Sequence, residues 1–264
     1  LAESVGQDDF GWFTPADLRQ VILAIHQLED WKKVILVGGQ SLTAWVEYYK
    51  IELPVFEGPY LTADADFLGT KAEAKVIASY LRGKAQIPKI DDHTPNTAII
   101  EFTGEEGTKL LIDMLVGVLG VSTEDAAKLA VSVVLYDWQP VQILHPLLVL
   151  ESRCANLERL PHKRENNGIT QARVACLVVA KYLDDCVTTP ARRKECLRAA
   201  KRIAALAKSS AGVYVWREWG IDVLDTVDPS KMPGQFPRSW EHEIAKVMRK
   251  REIALARRKP QCIS

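Results

Sequence analysis

Asp64 and Asp66 stand one residue apart in Thr62-Ala63-Asp64-Ala65-Asp66-Phe67, a stretch with strand character. Side chains two apart in a strand share a face, so these carboxylates would converge. Two carboxylates that close repel, and burial raises the cost of charging both. A hard divalent cation, Mg2+ or Mn2+, removes that penalty through oxygen ligation. A single Asp-x-Asp also occurs on solvated strand faces and in turns. A third acid, Asp113, sits among apolar neighbours in Leu110-Leu111-Ile112-Asp113-Met114-Leu115. A charge there is costly unless paired or metal-bound. Asp113 either joins the pair or occupies a hairpin position beside a Lys or Arg. Convergence of the three within about 6 Å separates these readings.

Val37-Gly38-Gly39-Gln40-Ser41-Leu42 is the second chemical element. A strand runs into two glycines and then a helix start. Glycine lets backbone approach a ligand, and the free N–H groups of a helix start favour phosphate oxygens. The Ser41 hydroxyl adds a donor. An ordinary strand-to-helix turn has the same composition. The glycine spacing excludes a dinucleotide fingerprint, and without Gly-Lys-Ser/Thr it is no Walker loop.

Further candidates carry weaker signals. Lys163 and Arg164, before Asn166-Asn167-Gly168, are phosphate contacts or an exposed basic loop. His145 precedes Pro146 at a helix start, where a structural role outweighs catalysis, and His93 lies in the polar loop Asp91-Asp92-His93-Thr94. Trp216 and Trp219 stack on a base or, more readily, pack in a core. Lys246, Arg249, Lys250, Arg251, Arg257, Arg258 and Lys259 interleave with Ile244, Val247, Met248, Ile253 and Leu255. That pattern is a basic amphipathic helix, suited to RNA phosphates or an acidic partner, or packed on the acidic half of the chain.

The elements that must position these residues follow from periodicity and punctuation. Thr14-Pro15-Ala16-Asp17 is a helix start, with apolar residues at helical spacing toward Trp31. Residues 34–37 read as a buried strand, and Ser41 caps a helix to about Tyr49. Residues 60–68 form a strand holding the Asp pair, and Lys71 to Leu81 a helix. Residues 97–102 and 109–116 form a hairpin around Gly104-Glu105-Glu106-Gly107. Ser122 caps a short helix, and short strands follow at 131–136 and 141–144. Beyond Pro146 the pattern is helical at 147–160, 170–183, 190–207 and 240–257, with a Pro/Gly-rich loop at 228–237. The expectation is an α/β domain over residues 1–140 and a helical domain over 141–264.

Composition agrees with two units. Of 264 residues, 47% are hydrophobic and 26% charged, ordinary for a folded chain, and no apolar run reaches the length of a bilayer span. No secretory signal pattern opens the sequence. Residues 1–140 hold 11 basic against 21 acidic side chains, and residues 141–264 hold 23 against 13. The acidic half could collect divalent metal and the basic half phosphate. The five cysteines lack any C-x-x-C pair, which argues for reduced thiols in a cytoplasmic protein rather than a zinc site.

The order of strand, Gly-Gly, helix, strand with Asp-x-Asp, helix, and hairpin with a lone Asp resembles the nucleotidyltransferase superfamily. Within it the chain is most similar to the AbiEii-type toxins of toxin–antitoxin systems, in which a Thr-x-Asp-x-Asp strand is typical. The resemblance covers residues 15–185 or thereabouts. It implies a nucleotidyltransferase-fold mixed sheet with flanking helices, followed by an all-helical half. It implies metal ions at Asp64, Asp66 and Asp113, with Asp113 as base or metal bridge for an acceptor hydroxyl. Gly38, Gly39, Gln40 and Ser41 would hold the NTP phosphates, and in-line transfer of NMP to RNA, protein or a small hydroxyl compound would release pyrophosphate. Arg153 stands where that group carries a Lys at the nucleotide, with Lys163 nearby in sequence. The helix beginning Gln171-Ala172-Arg173 lacks that group's early acid. The resemblance leaves room for a non-catalytic nucleotide- or partner-binding protein, or for a toxin neutralised by an antitoxin.

Overall fold

Asp17 shows how local signals become tertiary structure. Helix α1 (Pro15–Ile25) begins with a capping box: Asp17 N–H donates to Thr14 Oγ1 at 3.2 Å, and Thr14 N–H donates to Asp17 Oδ2 at 2.9 Å. The other Asp17 oxygen accepts the Glu105 N–H at 3.0 Å. Asp17 is thereby buried, and the helix start is tied to the turn of a distant hairpin. A Cβ on Gly104 would lie 2.4 Å from Asp17 Oδ1, so any side chain there would have to displace that carboxylate.

A computed structural model describes residues 13–54, 64–89, 91–92, 94–165, 167–232, 234 and 236–256. The first compact unit runs to Val149, and the second comprises Leu150 onward with Leu53 and Pro54. In the first, seven strands form one mixed sheet: β1 (Ile35–Leu36), β2 (Ala65–Leu68), β3 (Lys84–Gln86), β4 (Asn96–Thr103), β5 (Lys109–Leu115), β6 (Val131–Val133) and β7 (Val141–Ile143). Their order is β3-β4-β5-β2-β1-β7-β6. The β1/β7 and β2/β5 pairs are parallel, and the others antiparallel. Helices α2 (Gly38–Tyr48), α3 (Lys71–Tyr80) and α4 (Thr123–Leu129) connect them. Along β5, Leu110, Ile112 and Met114 are buried on one face, which leaves Asp113 on the other. Ala98, Ile100 and Phe102 continue the buried face on β4.

The second unit is helical: α5 (Pro146–Arg159), which starts in the first unit, then α6 (His162–Glu165), α7 (Gly168–Thr188), α8 (Arg193–Lys208), α9 (Ser210–Trp219) and α10 (Phe236–Ala256). The expected fold class, a mixed sheet with flanking helices and then a helical half, is the observed one. Several elements differ in extent. α1 stops at Ile25, and Trp31–Lys33 form a separate 3-10 turn. α2 starts at Gly38 rather than Ser41. β6 ends at Val133, because Tyr136 and Asp137 both adopt positive φ (48° and 59°) in a tight turn closed by Trp138 N–H to Leu135 O. α9 starts directly after α8, with the Ser209 hydroxyl capping Gly212 N–H at 3.0 Å.

The basic α10 packs inside its own unit. Val247 and Arg251 are fully buried. Arg251 grips both oxygens of Asp222 at 2.6 Å each and lies 4.5 Å from the Trp216 ring centroid. Trp216 is therefore a platform for an internal arginine, and the acid paired with it, Asp222, belongs to the basic half itself. Arg257, Arg258 and Lys259 lie outside the described residues. Among the described residues, no helix is long and apolar enough to cross a membrane. Removing one member of a buried ion pair strands the other. Arg251→Met should therefore lower unfolding free energy in urea by about 3 kcal/mol, and Arg251→Met/Asp222→Leu should recover most of that loss.

Candidate metal centre

Asp64, Asp66 and Asp113 reach one point through two strands. The β2/β5 register sets Asp66 directly beside Asp113. Asp64 immediately precedes β2, which begins at Ala65 rather than earlier, and Thr62 and Ala63 lie outside the described residues. One carboxylate oxygen from each aspartate lies within 4.8 Å of the others, and all three residues are half-buried. The convergence condition is met.

Crowding of three acids has an electrostatic cost. The Asp113 carboxyl is pushed up to about 6, first by burial and then by the charge of Asp64, while a hydrogen bond from Asn96 acts in the opposite sense. Asn96 Nδ2 donates to Asp113 Oδ1 at 3.0 Å. Its placement depends on a β-bulge between Asn96 and Ala98. The bulged Thr97 hydroxyl lies 2.9 Å from Gly69 O and 3.0 Å from Met114 O, which pins the end of β4 over β5. Sequence reasoning missed Asn96. An Asn at a strand start gives no local sign that it faces an acid 17 positions away.

Gly38 closes another side. Its φ is +62°, and a Cβ there would fall 1.8 Å from Asp66 Oδ2. Val37 N–H donates to Asp66 O at 2.9 Å, locking the turn to β2. No side chain caps the start of α2. A helix start presents N–H groups without intrahelical acceptors, and this one lies beside Asp66. The rest of the expected phosphate turn is disposed differently. Ser41 is fully buried and donates its hydroxyl to Gly38 O at 2.8 Å, so it braces the turn; contact with a phosphate would require that bond to break. Gln40 is buried and, with Phe13, Leu18 and Tyr136, lines an apolar cleft of about 280 Å3. Helical geometry puts Gln40 about 200° around α2 from Gly38. Gly39 is buried in the same turn.

In the second unit, Arg153 is buried and donates through Nη1 to Gln171 Oε1 at 2.7 Å. Lys163 is half-buried in α6, and Arg164 donates through Nε to Leu157 O at 2.7 Å while lying over the Tyr214 ring. His145 is buried, and its Nδ1 accepts the Leu147 N–H at 3.2 Å, a capping role at the start of α5. His93 and Asn166 lie outside the described residues.

The donor set fits a hard cation: three carboxylates, close enough to share one charge, beside a helix start that favours anions. No protein-family model and no curated protein matches the sequence. Among solved structures, one described as the crystal structure of JHP933 from Helicobacter pylori aligns over 90% of this chain and 92% of that one, at 12% identity and a TM-score of 0.33. At that score the likeness carries nothing further.

Gly38→Ala should weaken Mn2+ binding in a calorimetric titration at least tenfold. It should also destabilise the metal-free protein by at least about 1 kcal/mol, the cost of left-handed backbone alone. Asp113 has a second consequence. A carboxyl with a raised folded-state value binds its proton more tightly folded than unfolded. Its contribution is most favourable below about pH 4 and is lost as pH rises through about 6. Metal-free Asp113→Asn should therefore melt above the wild type at pH 7.5, and the two should converge near pH 4.

Proposed function

We propose that this protein is a metal-dependent nucleotidyltransferase that moves NMP from an NTP to a hydroxyl acceptor. One observation carries the reading: three carboxylate oxygens within 4.8 Å, pressed against the glycine start of α2. Asp64, Asp66 and Asp113 would hold Mg2+ or Mn2+. The cation would neutralise phosphate charge and lower the cost of the three acids standing together. The first-turn amides of α2 would orient phosphate oxygens beside Asp66. Asp113, braced by Asn96, would accept the proton of the acceptor hydroxyl. Fixed positions and fixed charges would account for most of the rate. We place the protein in the cytoplasm on the strength of the four unpaired thiols among the described residues, three of them buried.

A second reading keeps the fold and drops the turnover: a non-catalytic nucleotide- or partner-binding protein. The observation favouring it is the buried Arg153–Gln171 contact, which gives that arginine a structural task. A toxin held by an antitoxin is a special case of the first reading, in which the acceptor is a cellular RNA or protein.

The test is incubation with Mg2+ and each labelled NTP, with and without total RNA or protein, followed by detection of label transfer and pyrophosphate. The expected result is transfer that Asp64→Ala/Asp66→Ala reduces a hundredfold or more, equivalent to ~3 kcal/mol of barrier. If the wild type binds NTP but releases no pyrophosphate with any acceptor pool, the second reading replaces the first.

A further inference from the structure

In the helical unit, α8 and α10 pack together and leave an open cleft of about 850 Å3 between them. Its floor is apolar. Phe236 and Trp240, both largely buried, stack with ring centroids 5.4 Å apart beneath it, and half-buried Leu197 completes the strip. Its rims are cationic. Lys201 stands exposed on the α8 side and Arg238 on the α10 side. Their charged heads have no hydrogen-bond or ion-pair partner among the described residues. His242 adds a third nitrogen group to the α10 rim.

The acid lining the cleft does not offset these charges. Glu243 is bridged by Lys208 at 2.8 Å and by Lys246 at 2.6 Å, and the two lysines hold its carboxyl down to about 2. That trio is itself net positive. Lys201 also continues a row. Lys194 and Arg198 precede it on α8 at helical spacing, both exposed and both without a hydrogen-bond or ion-pair partner among the described residues. The row spans about 10 Å of helix. This is where much of the basic excess of residues 141–264, 23 side chains against 13, is displayed.

We infer that the α8/α10 cleft is a docking groove for single-stranded nucleic acid. A single phosphate would need one focus of donors. A row of separated cations beside an apolar floor instead follows a charged backbone and gives unpaired bases a dry surface. Arg238 is suited to fork a phosphate, and the lysines act as point charges along the strand. An acidic peptide would also satisfy the rims but lacks a flat base at every backbone charge, so it is the rival to be tested. The groove is built without the carboxylate centre and stands or falls separately from nucleotide transfer.

The measurement is fluorescence anisotropy of the full chain with a labelled single-stranded RNA of about 16 nucleotides, and with DNA of the same sequence, across a salt series. Wild type should bind with a steep salt dependence; the tighter of RNA and DNA identifies the source of the strand. Lys201→Glu/Arg238→Glu should weaken binding at least tenfold and reduce the salt slope by about one to two. The same charge change at Lys75→Glu/Lys84→Glu, exposed in the first unit, should do much less. Asp64→Ala/Asp113→Ala should leave strand binding intact while losing Mn2+ affinity. Circular dichroism checks folding, and Lys201→Gln/Arg238→Gln repeats the test should the charge reversal unfold the protein. The inference is overturned if wild type binds neither strand, if the two charge-reversed pairs behave alike, or if a polyglutamate peptide of equal charge displaces RNA as readily as unlabelled RNA does.

Discussion

The carboxylate of Asp66 occupies the space that any side chain at position 38 would fill. This one steric fact organises the candidate centre. It requires glycine at the head of α2 and brings the N–H end of a helix next to an acid. It also binds the short β1 to β2 through the Val37–Asp66 backbone bond. A helix start is electropositive and an acid cluster electronegative. Holding them in contact creates a place where a cation and an anion can be bound together. That pairing underlies the proposal of phosphate chemistry better than either feature alone.

The centre is also a compromise within the sheet. β5 presents Ile112 and Met114 to the core and Asp113 to the opposite face, so one strand serves packing and charge at once. The cost falls on Asp113, whose proton is retained well above the ordinary carboxylate range. Asn96 offsets part of that cost with a neutral donor, and the bulge at Thr97 holds it in place. Strain at functional sites is commonly sustained by surrounding structure in this way.

Much of this was legible in the sequence where the signal is local. The Thr14 cap, the Asp64/Asp66 spacing, the Gly104–Gly107 turn and the change to helices beyond Pro146 each follow from periods and punctuation within a few residues. What was not legible depends on distant partners. Nothing near Asn96 announces Asp113, and nothing near Arg251 announces Asp222 or Trp216, so Arg251 read only as one cation of a basic amphipathic helix. Ser41 read as a free donor because its acceptor, Gly38 O, exists only once the helix begins three residues earlier. α9, which follows α8 with only the Ser209 cap between them, was not among the expected helices.

The position of β7 gives the centre an order of completion. The strands bearing the aspartates end at Leu115, whereas β1, only two residues long, takes its second neighbour from Val141–Ile143. The same late segment receives the Trp45 indole N–H on Leu144 O at 2.8 Å, and Leu144 N–H donates to Leu36 O at 2.9 Å. On a ribosome, which releases a chain from its N-terminus, the acidic wall can therefore pair while the glycine wall still lacks its anchor. The nascent chain would hold its aspartates together before it owned a rigid place for an anion. This late-emerging strand of the α/β unit is the one that secures α2, and with it the glycine wall of the carboxylate centre.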